Sequence, residues 1–227
     1  MKKFLLCATL SFFIFSCSQE SQISESSSDP LASDPEIHFP DNALNPMDYK
    51  GKRFYEDLFL YQKNSGMPKS AAQMAEQIQF VSRSFSKSGA SGKGIIPFTD
   101  EMVQAIMADP DNMLIAIVEQ SALTAESKSN LIAFLESLLS KRHEEFGVLY
   151  AFVAAYEQTL ISSTAIISDE KDTLLTVSSI SRYSLYSEEE RKDRDWDHSA
   201  GSKCINAPFE ADNLALVLII ASLSSLI

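Results

Sequence analysis

The chain has 227 residues, 45% of them apolar types, and its 19 basic and 31 acidic residues give a formal net charge of −12. That length and composition suit one globular domain with additional segments, and the acidic balance argues against binding a phosphate backbone. The most basic stretch, Glu190 to Asp195, cancels its own charge, and the three cysteines (Cys7, Cys17 and Cys204) are too few for a disulfide scaffold.

Met1, Lys2 and Lys3 form a short positive region, and Phe4 to Phe15 is an apolar stretch. A membrane-spanning helix needs roughly 20 apolar residues, so this run matches the apolar region of a secretory leader instead. It ends in Ile14-Phe15-Ser16-Cys17. That sequence resembles the lipobox of bacterial lipoproteins at Ile14, Ser16 and Cys17, with Phe15 larger than the residue usual at its place. The resemblance implies cleavage before Cys17, a diacylglycerol on its sulfur and an acyl group such as palmitate on its new amino group. Several acyl chains together hold a protein firmly to a membrane. Ser18, where an aspartate would signal retention at the inner membrane, implies the outer membrane of the bacterial cell envelope.

From Ser18 to Pro46 the chain is rich in Ser, Asp, Glu and Pro. Such a segment buries too little apolar surface to offset the entropy of ordering, and reads as a flexible acidic spacer. Ile37, His38 and Phe39 form one apolar island in it, a candidate binding arm. The expected organisation is a leader over 1–16, a tether over 17–48 and one helical domain over 49–227.

In that domain Phe54, Leu58 and Tyr61 mark a short amphipathic helix over Arg53 to Lys63. Met74, Ile78, Val81 and Phe85 mark a second over Lys69 to Ser86. Three glycines and Pro97 then break the chain. Thr99 is a predicted N-cap with Asp100 and Glu101 in the first turn, where the helix dipole favours acidic groups. That helix ends near Ala108, and Asp109-Pro110 starts the next, with Met113, Ile117 and Gln120 along it. Thr124 caps a helix that turns Leu131, Leu135, Leu138 and Leu139 inward. Phe146, Leu149, Tyr150, Val153, Ala154 and Leu160 mark another, either continuous with it or bent near Gly147.

Ser168 opens a segment over Thr173 to Tyr186 whose Ser, Thr and Val content also allows a strand. Its small residues would let a neighbouring helix come close. From Leu214 onward the chain is uncharged, too short to span a bilayer comfortably, and apolar all round, which places it in the middle of a bundle. The expected fold is an all-α helical bundle of about six to eight helices, with this apolar C-terminal helix in its core.

The polar motifs carry little chemistry. Gly89 to Gly94 lacks the spacing of a phosphate-binding loop, since Lys87 and Gly94 stand where a glycine and a Ser or Thr are needed. The most distinctive patch is Asp193, Asp195, Trp196, Asp197 and His198. The alternating aspartates resemble the first ligands of a calcium loop, but His198 and Cys204 replace its glycine and its closing glutamate. These five residues are a candidate binding loop within a connection over 188–208, with Trp196 either a contact residue or folded back on the core. His143 lacks the second histidine of a zinc-protease helix, and Lys203 beside Cys204 is the one feature that could activate that thiol. Glu157 lies on an apolar stripe. A carboxylate there is a general acid, sits at the edge of the stripe, or pairs with an arginine, Arg182 being one option.

No cofactor, metal or nucleic-acid partner is expected. The sequence points to a lipid-anchored envelope protein with a non-enzymatic binding, scaffolding or accessory role and an envelope protein as a candidate partner. Two alternatives stand beside it. One is an envelope hydrolase using carboxylates or a metal at 193–198. The other is a membrane-active or toxin-related protein that inserts its apolar C-terminus.

Overall fold

The computed structural model describes residues 40–86, 99–199 and 214–227, with backbone alone for 84–86, 193–199, 214 and 225. Eight helices and no strands occur among the described residues: α1 (Asp48–Ser65), α2 (Ala71–Ser86), α3 (Asp100–Ala108), α4 (Pro110–Gln120), α5 (Ala125–Lys141), α6 (Phe146–Ser162), α7 (Ser168–Ser199) and α8 (Leu214–Leu226). The all-α bundle is the expected one.

The helix starts follow local chemistry. Thr99 accepts from the Met102 N–H and Thr124 from the Ser127 N–H, so each satisfies a donor that the first turn leaves free. Asp109 closes α3 and caps α4 through the Asn112 N–H, with Pro110 at the first helical position where its missing N–H costs nothing. Gly66 ends α1 at φ 79°, a backbone region that residues with a Cβ rarely enter. α5 and α6 are separate helices, because the chain turns through Arg142 to Glu145 before Phe146 restarts it.

Two helices act as hubs. α7 packs against α1, α5 and α6, α8 packs against α2, α3 and α4, and the hubs pack against each other. α8 is buried from Ala215 through Ala221 and again at Leu223, as an all-round apolar helix must be. α7 is buried continuously from Leu174 through Leu185 although half of that run is polar. Its hydroxyls make this possible: Thr176, Ser178 and Ser181 donate to the carbonyls of Asp172, Leu175 and Val177 one turn back, at 2.7 to 3.0 Å. The strand alternative for this segment is therefore wrong. Satisfied within their own helix, these short side chains leave room for neighbours. A Cβ at Gly51 of α1 would lie 2.7 Å from Tyr183 Cδ2 and 2.8 Å from the Ser179 carbonyl carbon.

α7 also supplies carboxylates to two other helix N-termini. Glu170 accepts from the Thr124 N–H and hydroxyl and from the Ser127 hydroxyl at the start of α5, at 2.8, 2.7 and 2.5 Å. Glu188 accepts from the Ala215 N–H at the start of α8, at 3.1 Å.

Two expectations shift. α1 begins at Asp48 rather than Arg53, and the end of the expected spacer, 40–47, packs on the bundle, with Pro40, Asn42 and Asn45 buried. α4 follows the expected span; its fully buried positions are Leu114 and Val118, while Met113, Ile117 and Gln120 line an open groove with α3 and the end of α8. The connection over 188–208 is helical through Ser199.

Candidate functional site

The described residues hold one cluster of charged groups deep in the fold, where α1, α6 and α7 meet. Glu157 of α6 and Arg182 of α7 are both fully buried, with Arg182 Nη2 3.1 Å from Glu157 Oε1 and 2.5 Å from Asp48 Oδ1. Asp48 is the first residue of α1, so a single guanidinium joins three helices. A buried ion needs its remaining hydrogen-bonding positions filled, and most of them are. Asn42 Nδ2 donates to Glu157 Oε2 at 2.6 Å. Asn45 Nδ2 donates to Glu157 Oε1 at 2.7 Å and to the Leu175 carbonyl at 3.0 Å. The Ser178 hydroxyl donates to Oε1 as well, at 3.1 Å.

The two asparagines are oriented by their own backbone. Asn42 Oδ1 accepts from the Leu44 N–H and Asn45 Oδ1 from the Met47 N–H, at 3.1 and 2.8 Å. Each is an Asx turn that aims the amide nitrogen at the carboxylate. Asn42, Asn45 and Asp48 recur every third residue, which brings all three polar ends to one side of the segment. Asp48 is held further by Tyr183, whose hydroxyl donates to Oδ2 at 3.3 Å, and by Ser179, whose hydroxyl donates to the Asp48 carbonyl at 3.2 Å.

Arg182 Nε and Nη1 make no hydrogen bond, but the guanidinium carbon lies 5.8 Å from the Tyr150 ring centre and 5.5 Å from that of Tyr183. The aromatic faces stand in for the missing acceptors. Burial opposes the charge on Arg182, yet Glu157 and Asp48 outweigh it and raise its pKa, so the guanidinium stays charged. Burial raises the pKa of Tyr183, with the Asp48 charge adding to it. Burial also raises that of Tyr150, against the pull of Arg182.

This arrangement is poorly suited to proton transfer. Both Glu157 oxygens are engaged by donors, and a carboxylate that accepts several bonds has no open position facing a substrate. A cleft beside the cluster is lined by Pro40, Asp41, Lys52, Tyr55, Glu56 and Tyr183, and neither Glu157 nor Arg182 lines it. Among the described residues no three His, Cys, Asp or Glu side chains converge as metal ligands would.

Of the three expectations for Glu157, the structure bears out the arginine partner, Arg182. It adds Asp48, Asn42 and Asn45, which composition had assigned to the spacer. The candidate loop residues Asp193, Asp195, Trp196, Asp197 and His198 stand on a helical backbone, the C-terminal part of α7, and not in a loop. Their side chains lie outside the described residues, as do Cys17, the arm at Ile37 to Phe39, the glycines of 89–94 and the Lys203-Cys204 pair. His143, Glu144 and Glu145 are exposed in the turn between α5 and α6. No family model, no curated protein and no solved structure was found to match this chain.

Proposed function

We propose that this chain is a lipid-anchored protein of the bacterial cell envelope, held by acyl groups on Cys17, whose helical domain binds or scaffolds rather than catalyses. The observation that carries the anchor is the stretch from Met1 to Cys17: a basic start, an apolar run too short to span, then Ile14, Ser16 and Cys17 in lipobox spacing. Support for a non-enzymatic domain comes from the charged cluster. Its ionisable groups are spent on one another and on the segment that leads from the anchor into the fold.

The two alternatives draw less support. A metal-using hydrolase at 193–198 drew on the spacing of a calcium-binding loop, and the backbone there is helical instead. A membrane-inserting C-terminus needs α8 to leave a core in which Ala215 through Ala221 are buried. No described helix is long and apolar enough to cross a membrane.

Intact-mass analysis of the protein from a bacterial host tests the anchor. The expected species begins at Cys17 and carries the added mass of a diacylglycerol and a further acyl group. A chain that retains Met1 to Ser16, or one that begins at Cys17 with no acyl mass, would contradict the reading.

A further inference from the structure

The segment 40–47 is fastened to the bundle in a different way from every helix around it. The helices are joined through apolar side chains: α1 alone contributes Phe54, Leu58 and Tyr61 to the core. The segment contributes Met47 at the core's margin and buried Pro40, while its leucine, Leu44, is 68% exposed. What fastens it is polar: Asn42 and Asn45 on Glu157, Asn45 on the Leu175 carbonyl, and the Tyr150 hydroxyl donating to the Asp41 carbonyl at 2.9 Å.

Water can replace every one of those bonds. If the segment lifts away, Glu157 keeps Arg182 and Ser178, and Arg182 keeps Asp48. The buried ion pair thus survives the loss of the asparagines, and little apolar surface is bared. At the junction the Asp48 N–H donates to the Asn45 carbonyl and the Lys50 N–H to the Met47 carbonyl, at 3.0 Å each, and Met47 adds no side-chain cap. α1 itself stays clamped through the close approach of Gly51 to Ser179.

We propose that residues 40–47 form a releasable latch, with Glu157 and Arg182 as its socket, and that the latch opens as a unit while the eight helices stay folded. Regions with few buried apolar contacts open below the global unfolding free energy, and this segment meets that condition by construction. Its opening frees both oxygens of Glu157 from the asparagines and lengthens the chain between bundle and spacer.

Amide hydrogen exchange of the full chain, followed across low urea concentrations, tests the latch. The reporters are the N–H groups of Leu44, Asn45 and Met47, which are bonded within the segment to Asn42 or Asn45. They are expected to open about 100-fold more often than the α7 amides from Leu174 to Leu185, with almost no urea dependence because little surface is exposed. Equal rates and an equal, steep urea slope for both groups would show that the segment unfolds only with the core, and would overturn the proposal. In the variant Glu157→Gln the latch amides are expected to speed up about tenfold more than those of α3 and α4, which report any loss of global stability. A uniform change across all three would overturn it as well.

Discussion

Arg182 is fully buried and faces two carboxylates. A guanidinium suits this place because it stays charged when buried, presents several donors in a fixed plane and stacks on aromatic rings. Breaking such a group differs in cost from replacing it. Arg182→Met leaves Glu157 and Asp48 facing each other without a cation, and is expected to destabilise the fold by about 3–5 kcal/mol in urea unfolding. Adding Glu157→Gln removes part of that repulsion, so the double variant is expected to lose less than the sum of the two single losses, a coupling of about 1 kcal/mol or more. Strict additivity would mean that the two side chains do not act together. The sequence showed half of this cluster. Glu157 on an apolar stripe allowed an arginine partner, and Arg182 was one option. The asparagines were invisible because their environment is acidic and Ser-rich, and composition averages over the few positions that turn inward. The available signals were the Asn-Pro pair at Asn45-Pro46, which marks a turn, and the four acceptor positions of a buried carboxylate, which one arginine does not fill.

The helices were legible where one chemical rule decided them. Thr99, Asp109 with Pro110, and Thr124 mark starts that the structure reproduces, because a cap depends on only three or four neighbouring residues. α7 was read too short. Its charged second half, from Glu188 on, resembles a solvated loop by composition, yet a helix apolar in one half and charged in the other extends naturally from core to surface. The serines of its first half permit the tight crossing with α1 at Gly51. Gly51→Ala would place a Cβ against the Ser179 backbone, which cannot swing aside as a side chain would. A loss of about 1–3 kcal/mol is expected despite the better helix propensity of alanine, checked by thermal unfolding. Unchanged or increased stability would mean that α1 and α7 stand further apart. The bonds from Thr124 and Ser127 to Glu170 lower its pKa, Ser127 contributing most. A depressed carboxylate stabilises the fold above its ordinary titration range and loses that contribution as pH falls through its folded value. The stability gap between the native chain and Glu170→Gln should therefore be open at neutral pH and close in acid. A gap that persists below the ordinary carboxylate range would remove Glu170 from its role at α5.

At the scale of the whole molecule, one architecture joins a hydrophobic C-terminal hub to a polar N-terminal clasp. α8 is buried among α2, α3, α4 and α7, so its apolar surface is spent inside the domain. On the proposed reading, attachment to a membrane then falls to Cys17 alone, with the acidic spacer carrying the link as far as Asn42. The hydrophobic hub was legible in the sequence because a core is the most favourable place for an uncharged helix too short to span, with insertion into a membrane as its alternative. The second hub, α7, was not, because its burial rests on hydroxyls that turn back on their own backbone. Partition of the native chain and of a chain made without residues 1–17 between membrane and soluble fractions, each checked for folding by circular dichroism, tests the account most directly. The native chain is predicted in the membrane fraction and the shortened chain in the soluble fraction, equally helical. A folded chain without residues 1–17 that stays with the membrane would contradict the account.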